Sequence, residues 1–149
     1  MRPRILVATC LVVTLAGCAA TKRRRAAFEE AKQTITDVER ALGQKLTSDD
    51  NIFCPSAPGP QPKDLPTADK PVAADWTDAS WKCLGMKVAS PQCQYTYASN
   101  GKTGSDATAV LTAKCDPNGD GQPLVFTLKV KATPTGDLVR ESLDQPPKP

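Results

Sequence analysis

The side chains best suited to chemistry in this chain are six cysteines, one aspartate-rich turn and a scatter of carboxylates; histidine is absent. Without an imidazole, Ser-His-Asp and Cys-His catalysis are excluded, and a metal would fall to carboxylates or thiolates. No two cysteines stand in C-x-x-C spacing, which argues against zinc. The run Asp116-Pro117-Asn118-Gly119-Asp120-Gly121 fits the first six positions of a D-x-N-x-D-G calcium loop. Asp116, Asn118 and Asp120 would offer oxygens at alternate positions, and Gly121 allows the sharp turn. The twelfth position is Thr127 rather than a bidentate glutamate, so an Asp-Gly hairpin turn is the preferred reading and weak Ca2+ binding the alternative. Glu29, Glu30 and Glu39 fall on a helical stretch and read as a solvated face rather than a catalytic pair. Trp76 and Trp81 could stack on sugars, but core packing is the preferred role.

Cys18 stands apart from the other cysteines. Arg2 and Arg4 precede a mostly apolar run of about eleven residues from Ile5 to Leu15, the size of a secretory signal and half of a bilayer span. The run ends in Leu15-Ala16-Gly17-Cys18, which resembles the lipobox of bacterial lipoproteins. The resemblance implies cleavage before Cys18 and diacylglycerol on its sulfur. Two or three acyl chains give stable anchoring, at about 0.8 kcal/mol for each buried methylene. By the same resemblance, Ala19 in place of aspartate favours the outer over the inner membrane of a Gram-negative envelope. Lys22, Arg23, Arg24 and Arg25 follow directly, where each can meet anionic headgroups at about 1 kcal/mol. A solvated helix start is the equal alternative.

The formal charge of +3 over 149 residues drops to near zero once Arg2 and Arg4 are removed, too small a basic footprint for a nucleic-acid partner. Cys10 leaves with the signal, and Cys54, Cys83, Cys93 and Cys115 form an even set for an oxidising compartment. Aromatic residues make up only 5 % of the chain, so a single small domain needs such crosslinks.

The elements that must position these residues follow from periodicity. Phe28, Ala31, Ile35, Val38 and Leu42 draw one stripe along a helix that Asp49, Asp50 and Asn51 end. Pro55, Pro58, Pro60, Pro62, Pro66 and Pro71 then keep the chain out of helix and sheet, as an extended surface loop or linker. Four period-two segments follow, at Ser80 to Val88, Gln92 to Ala98, Ala107 to Cys115 and Leu124 to Ala132, separated by Ser-Pro, Asn-Gly and Asp-Gly signals. The expected fold is α+β, one amphipathic helix on a four-stranded antiparallel sheet. Cys93 and Cys115 share the core-facing parity of their strands and should pair, leaving Cys54 with Cys83 around the proline-rich loop. The resulting division is a signal at 1–17, a basic tether at 18–27 acting as a flexible spacer, helix at 28–53, loop at 54–75, sheet at 76–140 and a proline-rich tail at 141–149.

Helix, cysteine-bearing proline loop and sheet together resemble the globular part of bacterial type IV pilins. The likeness lies in Trp81-Lys82-Cys83-Leu84-Gly85-Met86, Cys93-Gln94-Tyr95-Thr96-Tyr97, Gly101, Gly104, and the aspartate-glycine turn before Val125-Phe126-Thr127-Leu128. A pilin keeps its hydrophobic helix after processing, with a glutamate near the new N-terminus. Here the apolar run precedes the cut, and Lys22 stands where that glutamate would be. The resemblance therefore implies a pilin-like headpiece on a lipid anchor, a non-enzymatic envelope protein with a structural or pilus-type protein partner. A carbohydrate-binding or hydrolytic envelope module, built on Trp76, Trp81 and the acids, is the alternative.

Overall fold

A computed structural model describes residues 9–48 and 52–149, with side chains from residue 17 onward. Arg2, Arg4, the start of the apolar run and the Asp49-Asp50-Asn51 stop lie outside the described residues. A long helix α1 spans Thr9–Ser48, and a five-residue helix α2 spans Ala79–Cys83. The strands are β1 (Gln94–Ser99), β2 (Thr108–Cys115), β3 (Leu124–Ala132) and β4 (Leu138–Asp144). They form one antiparallel meander in the order β1-β2-β3-β4. No described helix is long and apolar enough to cross a membrane.

The stripe on α1 is buried as its spacing requires, from Ala27 and Phe28 through Ala31, Ile35, Val38 and Leu42 to Leu46. It lies against the inward rows of the sheet, Tyr95 and Tyr97, Leu111, Phe126, Leu128 and Val130. Phe28 meets Phe126 edge-on, with ring centroids 5.2 Å apart. Strict alternation of buried and open positions along β3 places Val125, Lys129 and Lys131 on the outer face. Removing one such large buried side chain from water contributes about 1.5–3 kcal/mol.

Both expected disulfides are present. Gln94 pairs with Lys114 across β1 and β2, so Cys93 and Cys115 fall opposite each other and are joined. Cys54 joins Cys83, closing the proline-rich loop.

Three expectations are corrected. Ser80 to Val88 is not a strand: Asp78 accepts the Ser80 N–H at 2.8 Å and caps α2, and Trp81 and Leu84 are buried at helical spacing. Gly85, at φ +69°, turns the chain out of this helix in a conformation that suits glycine. The fourth strand is instead β4, in a region divided between the sheet and the tail. Its period is broken by a bulge where Lys129 pairs with Ser142 but Val130 with Arg140. Arg140 occupies a helix-facing position and engages Glu39 on α1 with both guanidinium ends, the Nε bond being 2.8 Å.

The loop and the tether are also more ordered than their compositions suggest. The proline loop docks along the outer edge of β1, where Ala57 donates to the Tyr97 carbonyl and Gln61 exchanges two backbone bonds with Tyr95. The donors at 57 and 61 stand between prolines 55, 58, 60 and 62; Pro62 follows a cis bond and is buried. Residues 18–27 are not a flexible spacer, because they continue α1, and Ala27 is already fully buried.

Candidate functional site

Cys18, the basic run and the aspartate turn lie toward one end of the domain, where Arg24 joins the helix to the turn. Cys18 is exposed and unpaired, whereas Cys54, Cys83, Cys93 and Cys115 are bonded in two pairs. At helical spacing it shares one face with Thr21, Lys22 and Arg25, and these residues border a shallow groove. Arg24 points the other way, into the protein. Its Nη1 donates to the Gln122 carbonyl at 2.9 Å and stands 4.0 Å from the Asp120 carboxylate. The basic run is thus divided: one guanidinium fastens α1 to the turn before β3, and the others face outward.

That turn contains the D-x-N-x-D-G residues. Asp116, only 6 % exposed, accepts the Asp120 N–H at 3.2 Å and the Gly121 N–H at 3.0 Å. Asp120 in turn accepts the Gln122 N–H at 2.9 Å, and the Pro117 carbonyl accepts the Ala68 N–H from the proline loop. Gly119 and Gly121 hold positive φ, at 65° and 74°, as an Asp-Gly turn requires. The Asn118 Oδ1 is buried without a hydrogen-bond partner. The structure brings Asp116, Asn118 and Asp120 onto one turn braced by its own backbone donors, and Thr127 lies in β3. No group of three or more His, Cys, Asp or Glu suited to a metal occurs among the described residues.

The acids and tryptophans are dispersed. Glu29 meets Lys148 at 2.9 Å and Glu39 meets Arg140, ten helix residues or about 15 Å apart along the axis. Glycosidase carboxylates work at about 5–9.5 Å, so these two do not form such a pair. Trp81 is fully buried, and Trp76 packs edge-on against it at 5.3 Å while donating its indole N–H to the Val88 carbonyl. Trp81 therefore offers no exposed ring for a sugar.

Glu30, which the sequence places on a solvated face with Glu29 and Glu39, is instead turned into the domain and half-buried. It accepts the Gln92 N–H at 2.9 Å, and the Tyr95 hydroxyl lies 3.2 Å from both Glu30 Oε1 and Thr34 Oγ1. Burial pushes the Glu30 carboxyl above its ordinary range, against the pull of the Gln92 and Tyr95 hydrogen bonds. Burial first, and the Glu30 charge second, hold the Tyr95 phenol above its usual range. The available signal was position: Glu30 lies one helical turn from Thr34, at the margin of the apolar stripe.

No protein-family model matches this chain, and neither a curated protein nor a solved structure shows significant similarity to it.

Proposed function

We propose that this chain is a bacterial lipoprotein of the cell envelope, cut before Cys18 and held on a membrane by acyl chains on that sulfur. The observation that carries the reading is the pairing pattern. Cys54, Cys83, Cys93 and Cys115 bond to one another in two pairs, and among the cysteines with described side chains, from residue 17 onward, the one left free is the thiol that follows Leu15-Ala16-Gly17. Two disulfides suit an oxidising compartment, which supports export. Ala19 after the modified residue favours the outer membrane, by resemblance to Gram-negative sorting.

On this anchor the domain serves a structural or protein-binding role, not an enzymatic one, and its likeness is to type IV pilin headpieces. One helix laid on a four-stranded meander, with a disulfide-closed loop between them, supports the likeness. The partner, an envelope or pilus-type protein, adds a strand beside β4. This strand pairs with β3 alone among the described residues. Intact mass spectrometry of the membrane-extracted protein tests the anchor: a mature chain beginning at Cys18 and carrying two or three acyl groups is expected. Cys18→Ser should move the protein out of the membrane fraction, and an unacylated wild-type chain would sink the reading. Affinity capture from detergent-solubilised envelopes tests the role, with pilus or surface-machinery proteins as the expected partners.

A further inference from the structure

Beside Arg23, the end of the domain nearest Cys18 holds a cavity of about 160 Å³, walled by Pro66, Thr67, Pro71, Pro91 and Pro117. Three separate segments converge on it: the proline loop, the stretch before β1 and the turn after β2. One backbone bond and one bond to a helix side chain hold them in place. Pro117 accepts the Ala68 N–H at 3.1 Å, and Glu30 accepts the Gln92 N–H at 2.9 Å. The walls are chiefly proline carbon, and the charge on the rim is a guanidinium.

The charges around the cavity are unequal. Lys22 and Arg23 form no ion pair or hydrogen bond among the described residues, and Arg25 is exposed beside them. The nearby acids are mostly answered: Glu29 by Lys148, Asp64 by Lys70 at 3.5 Å, and Asp120 by Arg24. Asp69, exposed next to the cavity wall, opposes them. The surface therefore suits an anion that also presents carbon to the proline walls.

Distance along the helix supplies the other half. Five residues separate Cys18 from Arg23, about 7 Å at the helical rise. The headgroup layer of each leaflet is about 5–7 Å deep. With α1 along the bilayer normal and an acylated Cys18 at the base of that layer, Arg23 would reach its outer margin, beside the cavity it lines. The Arg24 clamp on Gln122 keeps the helix start and the turn together, so this end of the domain cannot swing clear independently.

We propose that this end of the domain is a docking surface for an anionic bilayer, and that the cavity seats a phospholipid headgroup whose phosphate meets Arg23. The inference rests on the lipid-anchor reading above. It makes the domain a body held against the membrane in one orientation rather than one tumbling on its anchor.

The test uses the full processed, acylated chain, reconstituted into vesicles of phosphatidylglycerol mixed with phosphatidylcholine or of phosphatidylcholine alone. Amide hydrogen exchange is read at 66–71, 90–92 and 116–122, with β2 and β3 as the internal check that the domain is folded. Slower exchange of the three segments on the anionic vesicles only is expected. Each Lys or Arg at an anionic surface changes partitioning about fivefold, so Arg23→Gln should speed their exchange by about that factor. Lys102→Gln, at the opposite end, should change nothing. Equal exchange on both vesicles, or no effect of Arg23→Gln in a folded domain, overturns the proposal. Protection by inorganic phosphate in detergent to the same degree also overturns it, in favour of a site for a soluble anion. Co-sedimentation keeps the two readings apart. A chain that pellets with both vesicles without protection loses only the docking surface, and one that pellets with neither loses the anchor and the docking together.

Discussion

The Cys54–Cys83 bond offers the sharpest test of how the proline loop is held. Replacing both residues with alanine opens a loop whose ends are 29 positions apart. In the chain-entropy treatment, releasing a ring of about thirty residues lowers stability by about 3.6 kcal/mol. The loop keeps its backbone bonds from Ala57 to Tyr97 and between Gln61 and Tyr95, because neither depends on the crosslink. Cys54 is fully buried, so the alanines add a smaller packing loss on top of the entropy term. Urea unfolding of the double variant beside wild type, without reductant, measures the total. A loss of about 3–5 kcal/mol is expected, with the amides of Tyr95 and Gln61 still protected from exchange under native conditions. A loss below about 1 kcal/mol would show that the unfolded chain is already constrained there, and the entropy argument would fail. Loss of the Tyr95 and Gln61 protection would instead show that the bond, not the strand-like pairing, holds the loop on β1.

Other expected outcomes follow from the core, the buried acid and the turn. Phe126→Ala, which removes a fully buried ring in contact with Phe28, should cost about 3–5 kcal/mol by chemical denaturation; a cost under 1 kcal/mol would mean α1 does not pack on this face. Because burial raises the Glu30 pKa, the folded state holds the proton at a higher pH than the unfolded state. Stability from this group is therefore greatest below the ordinary carboxyl pKa and falls as pH rises through the raised value. Glu30→Gln should flatten that part of the pH–stability curve, and an unchanged slope would count against the assignment. The turn at Asp116 is expected to melt at the same temperature in millimolar calcium and in chelator; a calcium-dependent rise abolished by Asp120→Asn would establish Asp116, Asn118 and Asp120 as ion ligands.

Much of the architecture was legible because its signals are periodic and local. The α1 stripe from Phe28 to Leu42 and the alternation in Leu124–Ala132 each report a face, and the shared parity of Cys93 and Cys115 reports a register. What escaped depends on contacts across the fold. Trp81-Lys82-Cys83-Leu84 alternates as a strand does, yet the Asp78 cap and the bond to Cys54 set it as a helical turn. β4 was obscured because its helix-facing row includes Arg140, whose charge is answered by Glu39 from α1, 101 residues away in sequence. Of the candidate site, the aspartate turn was legible, because its Asp-Gly spacing is a local signal and the turn forms there. Glu30 and the cavity beside Arg23 were not, since Gln92, Tyr95 and the four prolines reach them only after the chain has closed.

The seat of the proline loop along β1 has a consequence for assembly. With that flank occupied by residues 57–61, the sheet can be extended from one side only. Two copies joined through β4 would form a closed pair with no template left at either extremity. An assembly built through β4 would therefore stop at two chains rather than lengthen strand by strand.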